Sequence, residues 1–269
     1  MANTPTPSRE RLSAFVDGLQ ASGIYTFTSA EARAALAKSE VALDHALRRL
    51  HKAGRIAVPR RGFYVIVPTE YRNAGAPPPS WFIGQLMKDL GHPYYVGLLS
   101  AAAIHGASHQ AVMVFQVVTD RPMRDALAGR GCIEFHVSRA VERTPAIDVQ
   151  TETGAMRVST PEATAFDLVR FSGACGGWSN VATVLAELAE RLEPDALCEL
   201  ADAHKTPEIQ RLGFLLDRAG HPRLADPLLR VLGARRYRPV ALAPEEPLGD
   251  GGAVAPWRVI PNIEVDVDQ

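Results

Sequence analysis

The stretch HALRRLHKAGRIAVPRRGFYVIVP, residues 45–68, decides the fold of the first part of the chain. Three leucines in and just before it recur at helical spacing: Leu43, Leu47 and Leu50. Basic or ionisable side chains fill the gaps, and Gly54 then interrupts the pattern before two short apolar runs. This order predicts a helix with one apolar face, followed by two strands joined by a turn at residues 60–62.

The residues upstream of this stretch complete a small domain. Thr28 followed by Glu31 is a capping-box pattern, and Ser39 is a suitable N-cap for the leucine-bearing helix. The predicted elements are, in order, a helix (9–21), a strand (24–27), two helices (29–38 and 40–53) and two strands (55–58 and 63–67). Helix, strand, helix, helix, strand, strand is the order of a winged helix-turn-helix, and it predicts that fold.

Positive charge is concentrated on one face of the third helix. On a helical wheel, the basic side chains lie opposite the leucines. In a helix-turn-helix the second helix of the pair enters the major groove and its N-terminal residues reach the base edges. The predicted DNA-binding residues are Ser39, Val41, Ala42 and His45, then Arg48, Arg49 and Lys52, with Arg60 and Arg61 at the tip of the wing.

Two other interpretations of this face are open. A solvated helix often carries Lys and Arg without any partner, and winged helices also serve as protein–protein modules. The charge distribution favours DNA, because residues 1–70 hold ten Lys/Arg against six Asp/Glu, whereas residues 71–269 hold nineteen against twenty-four. The chain as a whole has a net charge of −1, so a basic module is attached to a neutral-to-acidic one.

Composition limits the class of protein. With 46% hydrophobic and 22% charged residues in 269, the chain has the composition of a folded, soluble protein. The three cysteines are single and form no CxxC, which argues against a disulfide framework or zinc ribbon and fits a reducing cytoplasm. The N-terminus lacks the apolar core of a signal peptide. The most apolar stretch, residues 94–107, is shorter than the ~20 residues that span a bilayer. We therefore expect a cytoplasmic protein.

A proline-rich segment predicts a domain boundary. PTEYRNAGAPPPS, residues 68–80, contains the triplet Pro77–Pro79, and polyproline is stiff and extended. The predicted domains are a winged helix-turn-helix (1–70), a linker (71–80) and a mixed α/β domain (81–269) that ends in several helices. Its predicted helices are 81–90, 98–105, 160–171, 178–192, 194–203 and 207–219, and its strands are 112–119, 132–138, 147–151 and 156–159, with a loop at 243–256 and one more possible strand after it. The fold class is α+β.

Residue patterns typical of enzymes are weak. His105 and His109 have a zinc-like spacing, but Gly106 separates them and no HExxH motif is present. The glycine-rich residues 172–179 lack a P-loop lysine and follow a helix, so a flexible loop between helices is the better interpretation. Asp167 diverges from Glu162 on a helix and is expected to cap or pair inside the fold, and Cys175, placed in that loop, has no histidine nearby in sequence. We expect no catalytic residue, no metal and no cofactor.

Four segments in order resemble the AbiEi antitoxins. They are LRRLHKAGRIAVPRRGFYVIVP (47–68), YYVGLLSAAAIHGASHQ (94–110), VSTPEATAFDLVRF (158–171) and IQRLGFLLDRAG (209–220). The resemblance covers nearly the whole chain. It implies the antitoxin of a type IV, AbiE-like toxin–antitoxin system that represses its own operon. The N-terminal domain would bind inverted repeats in promoter DNA, and the C-terminal domain would counter a nucleotidyltransferase-like toxin, AbiEii.

Two alternatives are kept beside this one. The chain could be a DNA-binding regulator that senses a small ligand through its second domain, without a toxin partner. It could also be an enzyme that carries a DNA-targeting module, against which stands the lack of a carboxylate or metal-binding cluster in the sequence. The identity of the neighbouring gene and a ligand-dependent change in melting temperature would separate these alternatives.

Overall fold

The first part of the chain forms the predicted winged helix-turn-helix. The computed structural model describes residues 12–36, 39–107, 114–248 and 251–265. Its first elements are α1 (Leu12–Ala21), β1 (Thr26–Thr28), α2 (Ser29–Leu36), α3 (Glu40–Lys52), β2 (Ile56–Arg60) and β3 (Phe63–Ile66). The strands form one antiparallel sheet in the order β1-β3-β2. The expected start of α1 at residues 9–11 and end of α2 at residues 37–38 lie outside the described residues.

The helix starts follow from the capping residues that the sequence predicts. At the start of α2, the Thr28 backbone N–H donates to Glu31 Oε2 over 2.7 Å, and the Glu31 N–H donates to Thr28 Oγ1 over 3.2 Å. At the start of α3, Ser39 Oγ accepts from the Ala42 N–H over 3.4 Å. These bonds satisfy N–H groups that have no partner within their own helix. The capping predictions are confirmed.

The second part of the chain combines a mixed sheet with helices. Its elements are α4 (Ile83–Leu90), β4 (Tyr94–Val96), α5 (Leu98–Ile104), β5 (Val114–Thr119), β6 (Ala126–Ala128), β7 (Gly131–Val137), β8 (Ala146–Thr151), β9 (Gly154–Ser159), α6 (Pro161–Arg170), α7 (Gly177–Leu188), α8 (Pro194–Ala201), α9 (Thr206–Arg218), α10 (Pro222–Gly233), β10 (Val240–Ala241) and β11 (Val259–Ile260). The α+β class is confirmed. The sequence pattern did not predict β4, β6, β10 or α10, and the expected last strand is reduced to the two residues of β11.

Six strands form the large sheet in the order β6-β7-β5-β4-β9-β8. The pairs β5/β7 and β4/β9 are parallel, and the other neighbours are antiparallel. Side chains alternate between its faces. Tyr95 and Val118 point into a core shared with α5 to α10, while Val96 and Val117 point into a core shared with α4. Every helix in the described part of the chain is too short or too polar to cross a membrane.

The core beneath α4 also contains one face of the winged-helix sheet. Phe63, Val65 and Val67 are buried in it, at 1%, 0% and 2% exposure, beside Ile83 and Met87 of α4. The alternate residues of the same sheet, among them Ile56 and Ile66, pack under α1 and α3 instead. Both faces of this small sheet are therefore covered, and a single apolar core runs across the predicted domain boundary.

The proline-rich segment packs against the second domain at residues 74–76. Ala76 is buried in the shared core, and the Arg130 N–H donates to the Ala74 carbonyl over 2.8 Å. The backbone of residues 74–75 lies directly against Gly129. A Cβ added to Gly129 would be 2.1 Å from the Ala74 oxygen. The expectation of a stiff, extended spacer is wrong, because apolar burial and this backbone contact hold the segment down. The domain division at residues 71–80 itself stays a prediction.

Candidate nucleic-acid interface

Helix α3 is held at both ends and along its apolar face. Leu43 and Leu47 are buried in the winged-helix core, as the spacing of the leucines predicts. At its C-terminal end, His51 Nδ1 lies 3.0 Å from the Ile56 carbonyl oxygen at the start of β2. The helix is therefore fixed in rotation about its axis, and this rotation decides which residues face solvent.

The basic face of α3 is exposed to solvent. It comprises His45, Arg48, Arg49 and Lys52, and all four side chains are exposed. None of the four lies within ion-pairing distance of a carboxylate in the described residues. The face therefore carries positive charge that the protein itself does not neutralise, which is the electrostatic requirement for contact with phosphates.

The N-terminal end of α3 is suited to contact base edges. Ser39, Val41 and Ala42 are exposed, and Val41 is 66% exposed, unusual for a large apolar side chain. An apolar side chain at this position can contact the methyl group of thymine in the major groove. The end is not purely basic, because Glu40 pairs with Arg33 of α2 over 3.1 Å and Asp44 is exposed.

The two wing arginines lie in different surroundings. Arg61 is exposed at the turn, which Gly62 completes with a φ of +88°. Arg60 instead donates hydrogen bonds to the carbonyl oxygens of Arg124 and Asp125, and its guanidinium carbon lies 5.3 Å from the centre of the Phe135 ring. Burial of the guanidinium lowers the pKa of Arg60. Arg60 is half-buried against the second domain, so the structure separates it from the other predicted DNA-binding residues.

Arg60 follows an irregular part of β2. The pairing of β2 with β3 shifts between Ala57 and Arg60, around Pro59, so the alternation of side chains along β2 is interrupted. Proline lacks the N–H that a sheet ladder needs, and it often accompanies such bulges. Adjacent residues of a strand point to opposite faces, so the doublet did not require Arg60 and Arg61 to act together.

Buried polar side chains join two segments of the second domain, residues 94–107 and 158–171. His105 Nε2 lies 2.7 Å from the Ser159 carbonyl oxygen, and Ser159 Oγ lies 2.7 Å from Thr164 Oγ1. Tyr95 donates its hydroxyl proton to Asp167 over 3.3 Å. These bonds join segments 94–107 and 158–171. Asp167 does pair inside the fold, as expected.

The residues whose patterns resemble catalytic motifs lie in structural surroundings. The Glu193 N–H donates to Glu162 over 3.1 Å, and His109 lies outside the described residues. Residues 172–175 form a 3-10 helix that leads into α7, so the expectation of a flexible loop is wrong. Cys175 is fully buried, and burial raises the pKa of its thiol to about 12. In the described ranges, no three His, Cys, Asp or Glu side chains come close enough to share a metal.

One group of charged residues in the second domain was not predicted. Arg139 and Arg143 follow β7, Arg170 ends α6, and His204 and Lys205 precede α9; all five line one cavity together with Asp167. Three distant segments supply them, so no spacing in the sequence could show that they converge. Among them, only Asp167 was a candidate from the sequence.

Two family models match the chain. The model described as transcriptional regulator, AbiEi antitoxin, matches residues 16–67, and the model described as AbiEi antitoxin C-terminal domain matches residues 95–218. Among solved structures, the chain is similar to the crystal structure of the RV2827C protein from Mycobacterium tuberculosis, with 18% identity, a TM-score of 0.67, and coverage of 95% of this chain and 94% of that chain. At this identity the likeness shows the fold alone. A comparison with curated proteins gives no match.

Proposed function

Because the chain belongs to the AbiEi antitoxin family, whose models match both of its parts, we propose that it is the antitoxin of a type IV, AbiE-like toxin–antitoxin system and represses its own operon. The winged helix binds inverted repeats in the promoter. The second domain counters a nucleotidyltransferase-like toxin encoded next to it. The proposal gives the chain no catalytic role and requires no metal or cofactor.

The observation that carries the DNA-binding part is the basic face of α3. Its four ionisable side chains are exposed and lack carboxylate partners among the described residues, while the opposite face of the helix is buried. Arg61 adds a fifth at the wing turn. These groups can contact phosphates, and the exposed N-terminal end of α3 can contact bases.

The division of charge supports separate roles for the two parts. Residues 71–269 hold nineteen Lys/Arg against twenty-four Asp/Glu, so this part carries no overall attraction for a polyanion. The C-terminal antitoxin model matches within the same part, at residues 95–218. This supports placing the action against the toxin there.

Salt dependence tests the DNA-binding part. Fluorescence anisotropy would measure the affinity of the full chain for the duplex upstream of its operon between 50 and 300 mM salt. Each neutralised phosphate contributes about −0.9 to the log–log slope, so contacts from four or five cations give a slope of roughly −3.5 to −4.5. A slope near zero would contradict the electrostatic role of the basic face.

Substitutions on α3 test sequence choice. His45→Ala or Arg48→Ala should reduce the preference for the operator over a random duplex, by ~1–3 kcal/mol if a base contact is lost. The matched control is Arg223→Ala, an exposed arginine on α10 in the second domain. Unchanged preference in both α3 variants would show that these residues do not read bases.

Co-expression tests the antitoxin part independently. The chain and the adjacent toxin gene are placed under separate inducible promoters, so that repression of the native operon does not affect either level. The double variant Arg48→Ala/Arg49→Ala should still restore growth, because these exposed residues belong to α3 and the variant leaves the second domain unchanged. Loss of rescue by this variant, at normal protein level, would contradict the assignment of neutralisation to the second domain.

A further inference from the structure

A cavity of about 600 Å³ opens on the helical side of the second domain. The loop after β7, the helix α6 and the start of α9 form its walls. Its volume is within the ~300–1,000 Å³ that is typical of small-molecule sites. It also lies beyond the carboxyl end of β7, an edge where open α/β sheets commonly bind ligands.

Positive charge surrounds the cavity. Arg139, Arg143 and Lys205 are exposed, and no carboxylate in the described part of the chain lies within 4.0 Å of them. Arg170 is held in place by a 2.9 Å hydrogen bond to Ser138 Oγ and by the Phe171 ring. Four cations that line one cavity can bind a phosphate group, because a guanidinium group binds its oxygens in bidentate fashion.

The two carboxyl groups of the cavity do not neutralise this charge equally. Glu208 Oε2 lies 2.9 Å from His204 Nδ1 and accepts a hydrogen bond from the Lys205 N–H over 3.3 Å. Asp167 is 3% exposed; its Oδ1 accepts from Tyr95, and its Oδ2 has no hydrogen-bond partner. A buried carboxyl oxygen without a partner is costly, and a hydrogen-bonding group of a ligand would satisfy it.

Apolar and aromatic groups complete the walls. Val137, Ala163 and Leu200 line the cavity between its charged groups. The His204 ring also lines it and is fixed by stacking on Phe166, with ring centres 3.9 Å apart and planes 12° apart. Such walls suit a flat, weakly polar ring better than a sugar alone.

We propose that this cavity binds a nucleoside phosphate, with the phosphate among Arg139, Arg143, Arg170 and Lys205 and a hydrogen-bonding group of the base directed to Asp167. This binding is separate from the DNA contacts of α3, and it does not depend on the proposed antitoxin function.

Calorimetric titration of the full chain tests the proposal. The probes are AMP, GMP, CMP and UMP, with the matching nucleosides, ribose 5-phosphate and inorganic phosphate as partial ligands. At least one nucleoside monophosphate should bind tenfold or more tightly than its nucleoside and than ribose 5-phosphate. Equal binding of ribose 5-phosphate, equal binding of phosphate alone, or no binding of any probe would overturn the proposal.

Variants locate the site. Arg143→Ala and Arg139→Ala should each weaken nucleotide binding about tenfold, whereas Arg223→Ala on α10 and the Arg48→Ala/Arg49→Ala variant on α3 should leave it unchanged. Asp167→Asn should remove the advantage of the nucleotide over ribose 5-phosphate. If Asp167→Asn does not fold, as judged by circular dichroism, the two cavity arginines still decide the result. Binding that survives both arginine substitutions would place the nucleotide elsewhere and overturn the proposal.

Discussion

Arg60 and Arg61 are adjacent in the sequence and differ in what they contact. Arg61 is exposed at the wing turn, whereas Arg60 bonds to the carbonyl oxygens of Arg124 and Asp125. The sequence predicts both as DNA contacts, because an arginine doublet in a turn gives no sign of which side chain turns inward. At this scale, residue type was predictable and side-chain direction was not.

Separate substitutions should distinguish the two arginines. Arg61→Ala should weaken binding to operator and random duplexes about equally, because phosphate contacts carry little sequence information. Arg60→Ala should mainly lower the urea midpoint of unfolding, since it leaves two carbonyl oxygens at the domain contact without their donor. Anisotropy on both duplexes and urea titrations would measure this. An equal loss of DNA affinity in both variants, without loss of stability, would contradict the assignment.

Asp167 should make stability depend on pH. Burial raises its pKa from an ordinary value of 3.8 to about 7, opposed by the hydrogen bond from Tyr95 and the charge of Arg170. The folded state therefore holds a proton that the unfolded state has lost between these values, and its stability falls as pH rises across that window. Burial raises the pKa of nearby Glu208, but the hydrogen bond and charge of His204, the Lys205 N–H and the charge of Arg170 together lower it below its ordinary value.

Asp167→Asn should remove this dependence. The stability of the variant relative to the natural chain should rise from about pH 4 to pH 7, by at most about 1.4 kcal/mol per pH unit, and stay level above pH 8. Urea unfolding at several pH values would measure the difference, which cancels the carboxyl groups common to both proteins. A constant difference across the range would show that Asp167 is ionised throughout.

At the scale of elements, α9 supports the C-terminal segment. Gln210, Gly213 and Asp217 share one face of α9, and Trp257 lies on it. Gln210 donates to the Trp257 carbonyl over 2.8 Å, the indole N–H donates to Asp217 over 3.2 Å, and a Cβ on Gly213 would lie 2.0 Å from the ring. The segment IQRLGFLLDRAG thus carries a binding face for another part of the same chain.

The effect of Gly213→Ala should depend on Trp257. In the natural chain, Gly213→Ala must displace the ring and should destabilise by ~1–3 kcal/mol. Trp257→Ala should cost ~3–5 kcal/mol. In the Trp257→Ala background, Gly213→Ala should be neutral or stabilise by up to ~1 kcal/mol, because alanine is the better helix former and the ring is gone. Additive effects in urea unfolding would contradict the packing described.

Long, strongly patterned elements were predictable, and short or context-dependent ones were not. Ser39 and Thr160 mark the starts of α3 and α6, and Gly220 marks the end of α9. By contrast, β4 and β6 have three residues each and exist because neighbouring strands supply their hydrogen bonds. Helix α10 contains Pro227, which argues against a helix when the sequence is considered alone, and tertiary packing outweighs it.

At the scale of the whole molecule, the shared core determines how residues 1–70 would behave when cut from the rest of the chain. The sequence alone predicts that residues 1–70 fold independently. The net charge is positive before residue 70 and negative after it, and a proline-rich segment follows. The apolar run FYVIV permits burial on both faces of its strand, and the structure buries both. The convergence of Arg139, Arg170 and Lys205 on one cavity is likewise a property of the assembled fold and has no local pattern.

A fragment of residues 1–70 should therefore be unstable. It exposes Phe63, Val65 and Val67, which are buried in the full chain, and should associate or melt without a sharp transition. Replacing these three residues with threonine should reduce association of the fragment and sharpen its melting transition. The same change should destabilise the full chain, because only the full chain covers that face. Size-exclusion chromatography and thermal melts would show this. A cooperative, monomeric melt of the unaltered fragment would contradict it.

The covered second face of the winged-helix sheet also has a consequence for how two copies sit on DNA. Phe63 and Val65 pack the sheet against the second domain. The orientation of α3 on a DNA duplex would therefore also set the position of the second domain around that duplex. If two copies bind inverted repeats as proposed, a shift of half a helical turn, about 5 base pairs, between the repeats would place the two second domains on opposite sides of the DNA, and a full turn of about 10 base pairs would restore them to one side. On the proposed inverted repeats, operator spacing would thereby set the relative orientation of the two second domains.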